Sequence, residues 1–355
     1  MSRVLVVATS RKTRGGITSV IKAHEMGDQW KKYHCVWIQT HRDGSLWRKV
    51  WYFGTAVLKY IILLPFCDIV HFHFSEKTSV KRKCLLMPIA KMMGKKTIAH
   101  FHSFSLDTTI RCGYREKYKY LFLTADVSIV LSEYWRKALV DELKIPAKKV
   151  KVLYNPCPII KTKDEMLQHN VKRKTILYAG TVCHRKGYDD LIRAFAKIAK
   201  KYPDWNVVLA GNGEVEKGRA ISKELGIANQ VEFLGWVSGE QKDKAFRESM
   251  IFCLPSYAEG FPMAVLDAWA YGLPVITTPV GGIPDVAKDG ENMLLFNPGD
   301  IDALAHQLEK MIFDENLRNR IALASLDFAE NKFNQYTINK QLGELYEDLS
   351  KKYTK

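Results

Sequence analysis

Short runs of apolar residues recur along the chain, separated by stretches in which apolar and polar positions alternate with helical period. The runs predict strands at Val4 to Ala8, His34 to Gln39, Ile69 to Phe72, Thr97 to His100, Val127 to Leu131 and Val150 to Tyr154. A second set predicts strands at Thr175 to Ala179, Trp205 to Ala210, Val231 to Leu234, Ile251 to Leu254, Val275 to Thr278 and Met293 to Phe296. Strands without polar alternation are buried on both faces, and strands alternating with helices form parallel sheets. The expected fold class is therefore α/β, two doubly wound domains in tandem with a cleft between them. Between the sets the composition turns polar at Lys161-Thr162-Lys163-Asp164-Glu165, just after Pro156 and Pro158. This places domains at 1–158 and 174–335, a linker at 159–173, and a last amphipathic helix within 336–355.

The densest pattern lies at residues 255–290. Ile251 to Leu254 reads as a strand, Pro255 to Gly260 as a loop, and Pro262 as the first residue of a helix that Gly272-Leu273-Pro274 ends. Glu259 then lies in the loop and Asp267 midway along the helix, about 7.5 Å from Pro262 at about 1.5 Å per residue. The helix start offers unpaired N–H groups and positive dipole to an anion between the two acids. Gly15-Gly16 follows the first strand, and Gly180-Thr181 with Arg185-Lys186-Gly187 follows the first strand of the second set. Bare glycine backbone after a strand lets a ligand approach closely, and an ordinary strand-to-helix turn has the same look.

Glu259 and Asp267 with their spacing, together with Lys186-Gly187, Gly15-Gly16 and His102 in this order, resemble the pattern of family-four retaining glycosyltransferases (glycosyl transferases group 1). That family has the GT-B fold, two Rossmann-like domains facing a cleft, with the last helix crossing back onto the first. Asp267 stands where the family has a second Glu, and Thr181 where it has an Arg. The resemblance implies an N-terminal acceptor domain and a C-terminal nucleotide-sugar domain. It implies that Glu259 holds donor-sugar hydroxyls, Asp267 the ribose, and Lys186 the pyrophosphate; Arg185, next to it in the chain, reads either as a partial substitute for the missing Arg or as a solvated side chain. It further implies that His102 contacts the transferred sugar and that Gly15, Gly16, Gly180, Thr181, Gly211, Gly260, Phe261, Pro262, Met263 and Ala264 line the donor. Glu259, His102 and Lys186 would be the catalytic set. The reaction implied is retaining transfer from a nucleotide diphosphate sugar, UDP in preference to GDP, to a glycan or lipid-linked acceptor of bacterial surface polysaccharide. Another GT-B enzyme such as a nucleotide-sugar epimerase, or a non-catalytic sugar-nucleotide or membrane-associated binding protein, is the alternative.

His71, His73, His100 and His102 form two His-x-His pairs, each on one sheet face; satisfied core or cleft histidines explain them better than a metal without nearby Cys or carboxylate ligands. Asp300-Ile301-Asp302 has the look of a metal motif but precedes a helix, so Asp300 is expected to cap it. No essential metal and no cofactor are expected. Asn155-Pro156, the Gly211-Asn212-Gly213-Glu214 turn and Gly281-Gly282-Ile283-Pro284-Asp285 read equally as turns or ligand contacts.

The chain has 355 residues and is 47% hydrophobic, enough for two cores. Its seven cysteines are scattered and odd in number, which suits reduced thiols in the cytoplasm. A net charge of +16 calls for an anionic partner. Nucleic acid is set aside because no RNA-binding or helix-turn-helix motif stands out. Met1-Ser2-Arg3 leads straight into the first strand, with no apolar segment of signal-peptide length. The apolar run Trp51 to Phe66 contains Lys59 and falls short of the ~20 residues of a membrane span, so it reads as a first-domain helix. Its aromatic start (Trp47, Trp51, Tyr52) beside Arg48 and Lys49 gives a second reading, contact with a lipid interface. The expected location is cytoplasmic and peripheral at the inner membrane face.

Overall fold

The computed structural model describes residues 2–158 and 173–351. Nearly all of the linker expected at 159–173 lies outside the described residues. The chain divides into two compact units, Met1–Pro156 with Gln335–Lys355 (unit 1) and Cys157–Asn334 (unit 2).

Unit 1 is built on six parallel strands: β1 Val4–Ala8, β2 Val36–Gln39, β3 Ile69–Phe74, β4 Lys96–Phe101, β5 Val127–Val130 and β6 Val150–Val152, in the order β2-β1-β3-β4-β5-β6. Unit 2 carries β7 Thr175–Ala179, β8 Asn206–Ala210, β9 Val231–Gly235, β10 Ile251–Leu254, β11 Val275–Thr277 and β12 Leu294–Leu295, in the order β12-β11-β10-β7-β8-β9. All twelve predicted runs are strands. β1, β3 and β10 are buried along their full length, as expected of strands covered by helices on both faces. In both sheets the strand order reverses direction beside the first strand, between β1 and β3 in unit 1 and between β7 and β10 in unit 2. Doubly wound sheets take ligands outside the carboxyl ends of the strands at such a crevice.

The helix Leu46–Leu63 starts five residues earlier than the apolar run suggested, because Ser45 caps it by accepting from the Arg48 N–H at 3.4 Å. With the short turn Leu64–Phe66 it becomes, among the described residues, the single helix long and apolar enough to cross a membrane, with only 17% of its apolar window buried. One stripe nevertheless joins the unit 1 core: Ala56, Tyr60 and Leu64 are buried, with Phe53, Val57 and Leu63 packed against them. The opposite face leaves Trp47, Val50, Trp51, Leu58, Ile61 and Ile62 in solvent.

The last helix, Gln335–Lys351, belongs to unit 1 and buries Ile338, Leu342, Tyr346 and Leu349 against Val4, Val6, Ile69, Ile98 and Ile129. Its 3- and 4-residue spacing of apolar positions supplies that stripe.

Candidate functional site

In unit 2 the crevice between β7 and β10 is where the signature residues gather. The loop after β10 carries Glu259, buried at 7% exposure, and the short turn His184–Lys186 follows β7. Lys186 Nζ forms a close ion pair with Glu259 Oε1, and the same oxygen accepts from Ser256 Oγ at 2.7 Å. Arg185 lies 3.8 Å from Glu259 and donates to the Ala258 carbonyl at 2.7 Å. A buried carboxylate is costly unless charges and hydrogen bonds satisfy it; here two cations and a hydroxyl do so.

Glycine makes this convergence possible. Gly187 has φ +69° and caps the helix Tyr188–Ile198, and a Cβ there would meet the Pro255 carbonyl oxygen at 2.0 Å. Gly211, after β8, sits so close to Gly180 that a Cβ would lie 1.7 Å from the Gly180 oxygen. The Thr181 carbonyl accepts from Tyr178 OH at 2.7 Å, and the Thr181 side chain is exposed.

Pro262 proves to be the N-cap, with ψ 114°, not the first helical residue; the helix is Met263–Ala270. The ring fixes φ at a value both positions accept, so sequence does not separate them. The first N–H groups of this helix have no intrahelical acceptor, and Gly260 accepts from Gly282 N–H at 2.8 Å. Phe261 is core, packed on Trp269 and Phe333. Asp267 sits one helical turn in, paired with Lys242 at 2.7 Å. Burial pushes its carboxyl up from the ordinary value, and Lys242 pulls it back. Sequence reasoning missed Lys242, which comes from the charged helix Glu240–Glu248, and Ser256, whose only signal is its place three residues before Glu259.

Gly15, Gly16 and His102 belong to unit 1. Gly15 caps the helix Gly16–Glu25, with open space where its Cβ would stand. His102 Nε2 bonds His73 Nδ1 at 2.9 Å, within a stack of rings. His71 Nδ1 meets Tyr346 OH at 2.7 Å and His71 Nε2 meets His100 Nδ1 at 3.1 Å. Burial and mutual repulsion hold His71, His73 and His100 well below the ordinary histidine value, and burial lowers His24 to about 4. Among the described residues, His71, His73 and His100 are the one group spaced to hold a metal, with ligand atoms within 4.8 Å. Both ring nitrogens of His71 and one each of His73 and His100 are already engaged with neighbouring rings or Tyr346. Asp300 caps the helix Ile301–Phe313 by accepting from Ala303 N–H at 2.9 Å, and Asp302 forms an ion pair with Lys197.

Residues 160–325 match the family profile of glycosyl transferases group 1. A glycosyltransferase of Haemophilus influenzae with no assigned substrate is 32% identical over 203 residues, 56% of this chain and 55% of that one. The lipopolysaccharide 1,6-galactosyltransferase of Salmonella typhimurium is 30% identical over 230 residues, 63% of this chain and 61% of that one. The chain thus spans little more than half the length of these curated relatives. Anabaena HepE, solved in complex with UDP-glucose, superposes with a TM-score of 0.80 at 19% identity, covering 98% of this chain and 100% of that one. The fold is GT-B, and the chain is related to the group 1 glycosyltransferases.

Proposed function

We propose that this protein is a retaining glycosyltransferase that moves a sugar from a nucleotide diphosphate sugar, UDP in preference to GDP, to a glycan or lipid-linked acceptor of bacterial surface polysaccharide. The observation that carries this reading is the buried Glu259 carboxylate held by Lys186, Arg185 and Ser256 at the strand-order reversal of unit 2. HepE in its complex with UDP-glucose and the Salmonella galactosyltransferase support the donor and acceptor classes by likeness. On this reading unit 2 binds the donor, and unit 1 binds the acceptor.

Glu259 accepts hydroxyls of the donor sugar, and Asp267 orients the ribose. When the bond from the sugar's anomeric carbon to the phosphate oxygen breaks, its electron pair goes to the diphosphate. Lys186 and Arg185 stabilise that charge as it forms. The acceptor oxygen bonds to the anomeric carbon from the face the diphosphate leaves, and its proton passes to a diphosphate oxygen, so no protein nucleophile is needed. Thr181 adds a hydroxyl where a guanidinium would bind bidentately. His102, held neutral by burial and its neighbours, is suited to hydrogen-bond the sugar without competing for the diphosphate. No divalent ion is required, because fixed cations neutralise the leaving group.

Unit 1 holds 32 basic and 14 acidic residues, net +18, and unit 2 holds 22 and 24, net −2. The cationic excess and the uncovered outer face of Leu46–Leu63, flanked by Arg48, Lys49 and Lys59 with no acid in the helix, favour peripheral contact with an anionic bilayer. The core-bound stripe of that helix fits a helix lying along the surface better than one spanning it. The location that follows is the cytoplasmic face of the membrane.

Thermal-shift titration against UDP, GDP, CDP, NAD and their sugar derivatives tests the donor. Stabilisation by one nucleoside diphosphate, weakened in Lys186→Ala and Glu259→Ala, is expected; stabilisation by NAD alone or by none of them refutes the reading.

A further inference from the structure

Lys83 lies in the helix Lys77–Met92, among seven basic residues between positions 77 and 96, yet it is only 1% exposed. Its Nζ donates to Thr40 Oγ1 at 2.9 Å, and the Thr40 hydroxyl in turn donates to the Ala8 carbonyl at 2.9 Å. An ammonium has three N–H donors, so a single neutral hydroxyl leaves two unused. Among the described residues no carboxylate lies within 4.0 Å of Lys83 or of its neighbour Arg82. Arg82 Nε is itself buried and without a partner. Nearby His41 feels the charges of Arg82 and Lys49 and pairs with exposed Asp43 at 3.3 Å.

A buried lysine is ordinarily paired, because an isolated charge in a dry interior is expensive. Here desolvation and Arg82 both hold the Lys83 ammonium well below the ordinary lysine value. A site selected for packing alone would hold methionine or leucine without that penalty. Lys83 is thus a buried amine with hydrogen-bonding capacity to spare, beside a guanidinium whose buried Nε has no partner.

We propose that Lys83, Arg82 and Thr40 form a phosphate-binding site in unit 1, which takes the phosphate or diphosphate group of the acceptor. Thr40 directly follows β2 and bonds to the last residue of β1, which puts the group at the carboxyl edge of the sheet, where such folds take ligands. The anion would accept the spare Lys83 donors and the guanidinium edge of half-buried Arg82, supplying the missing counter-charge. Naming the acceptor as its source rests on the transferase reading above; the anion site itself does not.

Isothermal titration of the whole chain saturated with UDP, using inorganic pyrophosphate and geranyl diphosphate as probes, tests the site while the donor site is filled. Both probes are expected to bind the wild-type protein and to weaken at least tenfold in Lys83→Met and in Arg82→Gln, with UDP affinity unchanged. Lys186→Ala should show the reverse, weakened UDP and intact pyrophosphate binding. Arg82→Gln, at a half-exposed position, carries the test if Lys83→Met does not fold by circular dichroism. Absence of pyrophosphate binding in the wild type, or equal binding in the Arg82→Gln variant, overturns the site. Tighter binding of geranyl diphosphate than of pyrophosphate supports a lipid-linked source, and equal binding removes the lipid as source. Pyrophosphate binding without any UDP binding leaves the site standing and sinks the transferase reading.

Discussion

In unit 1 four histidines, His24, His71, His73 and His100, sit inside the core and the surface is strongly cationic; in unit 2 the described histidines, His184 and His306, are exposed and the charges nearly cancel. The sheets are of one kind, so the contrast does not come from architecture. It teaches that two copies of one scaffold divide the electrostatic work. Unit 2 balances its charges and buries a satisfied ion cluster around Glu259, whereas unit 1 carries a cationic excess and buries a lysine, Lys83, without a counter-charge.

Acid should break the comparison most forcefully. Each buried histidine is neutral when folded and protonates near 6.5 when unfolded, so its folded pKa is depressed. Its stabilising contribution is complete above pH 6.5 and is lost as pH falls towards the folded value, about 4 for His24. Below 6.5 each such group costs about 1.4 kcal/mol per pH unit. His71, His73 and His100 are depressed in the same direction, so all four act together against folding as pH falls. Hydrogen exchange at pH 5 should find unit 1 less protected than at pH 7 and unit 2 little changed; equal protection in both would refute the neutral histidine core.

Glu259→Gln should lower sugar transfer by about 1,000-fold, about 4 kcal/mol of barrier, with unit 1's unfolding midpoint unchanged and unit 2 losing less than that figure in stability. A matching loss of unit 2 stability would make Glu259 a structural ion-pair partner instead. Gly187→Ala attacks the scaffold of the same cluster. A side chain at φ +69° against the Pro255 carbonyl should cost about 2–4 kcal/mol, read in unit 2's denaturation midpoint alone.

The smallest effect on stability is expected at the exposed helix face of unit 1. Trp47→Ser with Trp51→Ser should change stability by no more than about 0.5 kcal/mol per site. It should still release the protein from phosphatidylglycerol vesicles in a flotation assay. Undiminished flotation would take the helix out of the membrane reading and leave its exposed indoles unexplained.

The strands were legible because a strand buried on both faces must be an unbroken apolar run, and β1, β7 and β10 begin and end where the runs do. Edge strands were overestimated: β12 is two residues long where four were expected, since an apolar run beyond the ladder still packs as loop. Glu259, Lys186 and Asp267 were legible as a local pattern. Lys242 and Lys83 were not, because each lies in a run of charged residues that reads as a solvated helix face, and only tertiary packing brings Lys242 to Asp267 and Lys83 inside. The His-x-His pairs announced a shared face but not its depth, which the last helix creates by laying Tyr346 against His71.

That helix has a consequence in time. Unit 1 begins at the first strand but closes only with Gln335–Lys351, after all of unit 2 has been synthesised. Until then Ile338, Leu342, Tyr346 and Leu349 are missing from its core, and His24 lacks Asn339. Domains of a growing chain usually fold in order of synthesis. Here the second unit can finish first, while the first waits on the ribosome with all six strands made and one sheet face uncovered.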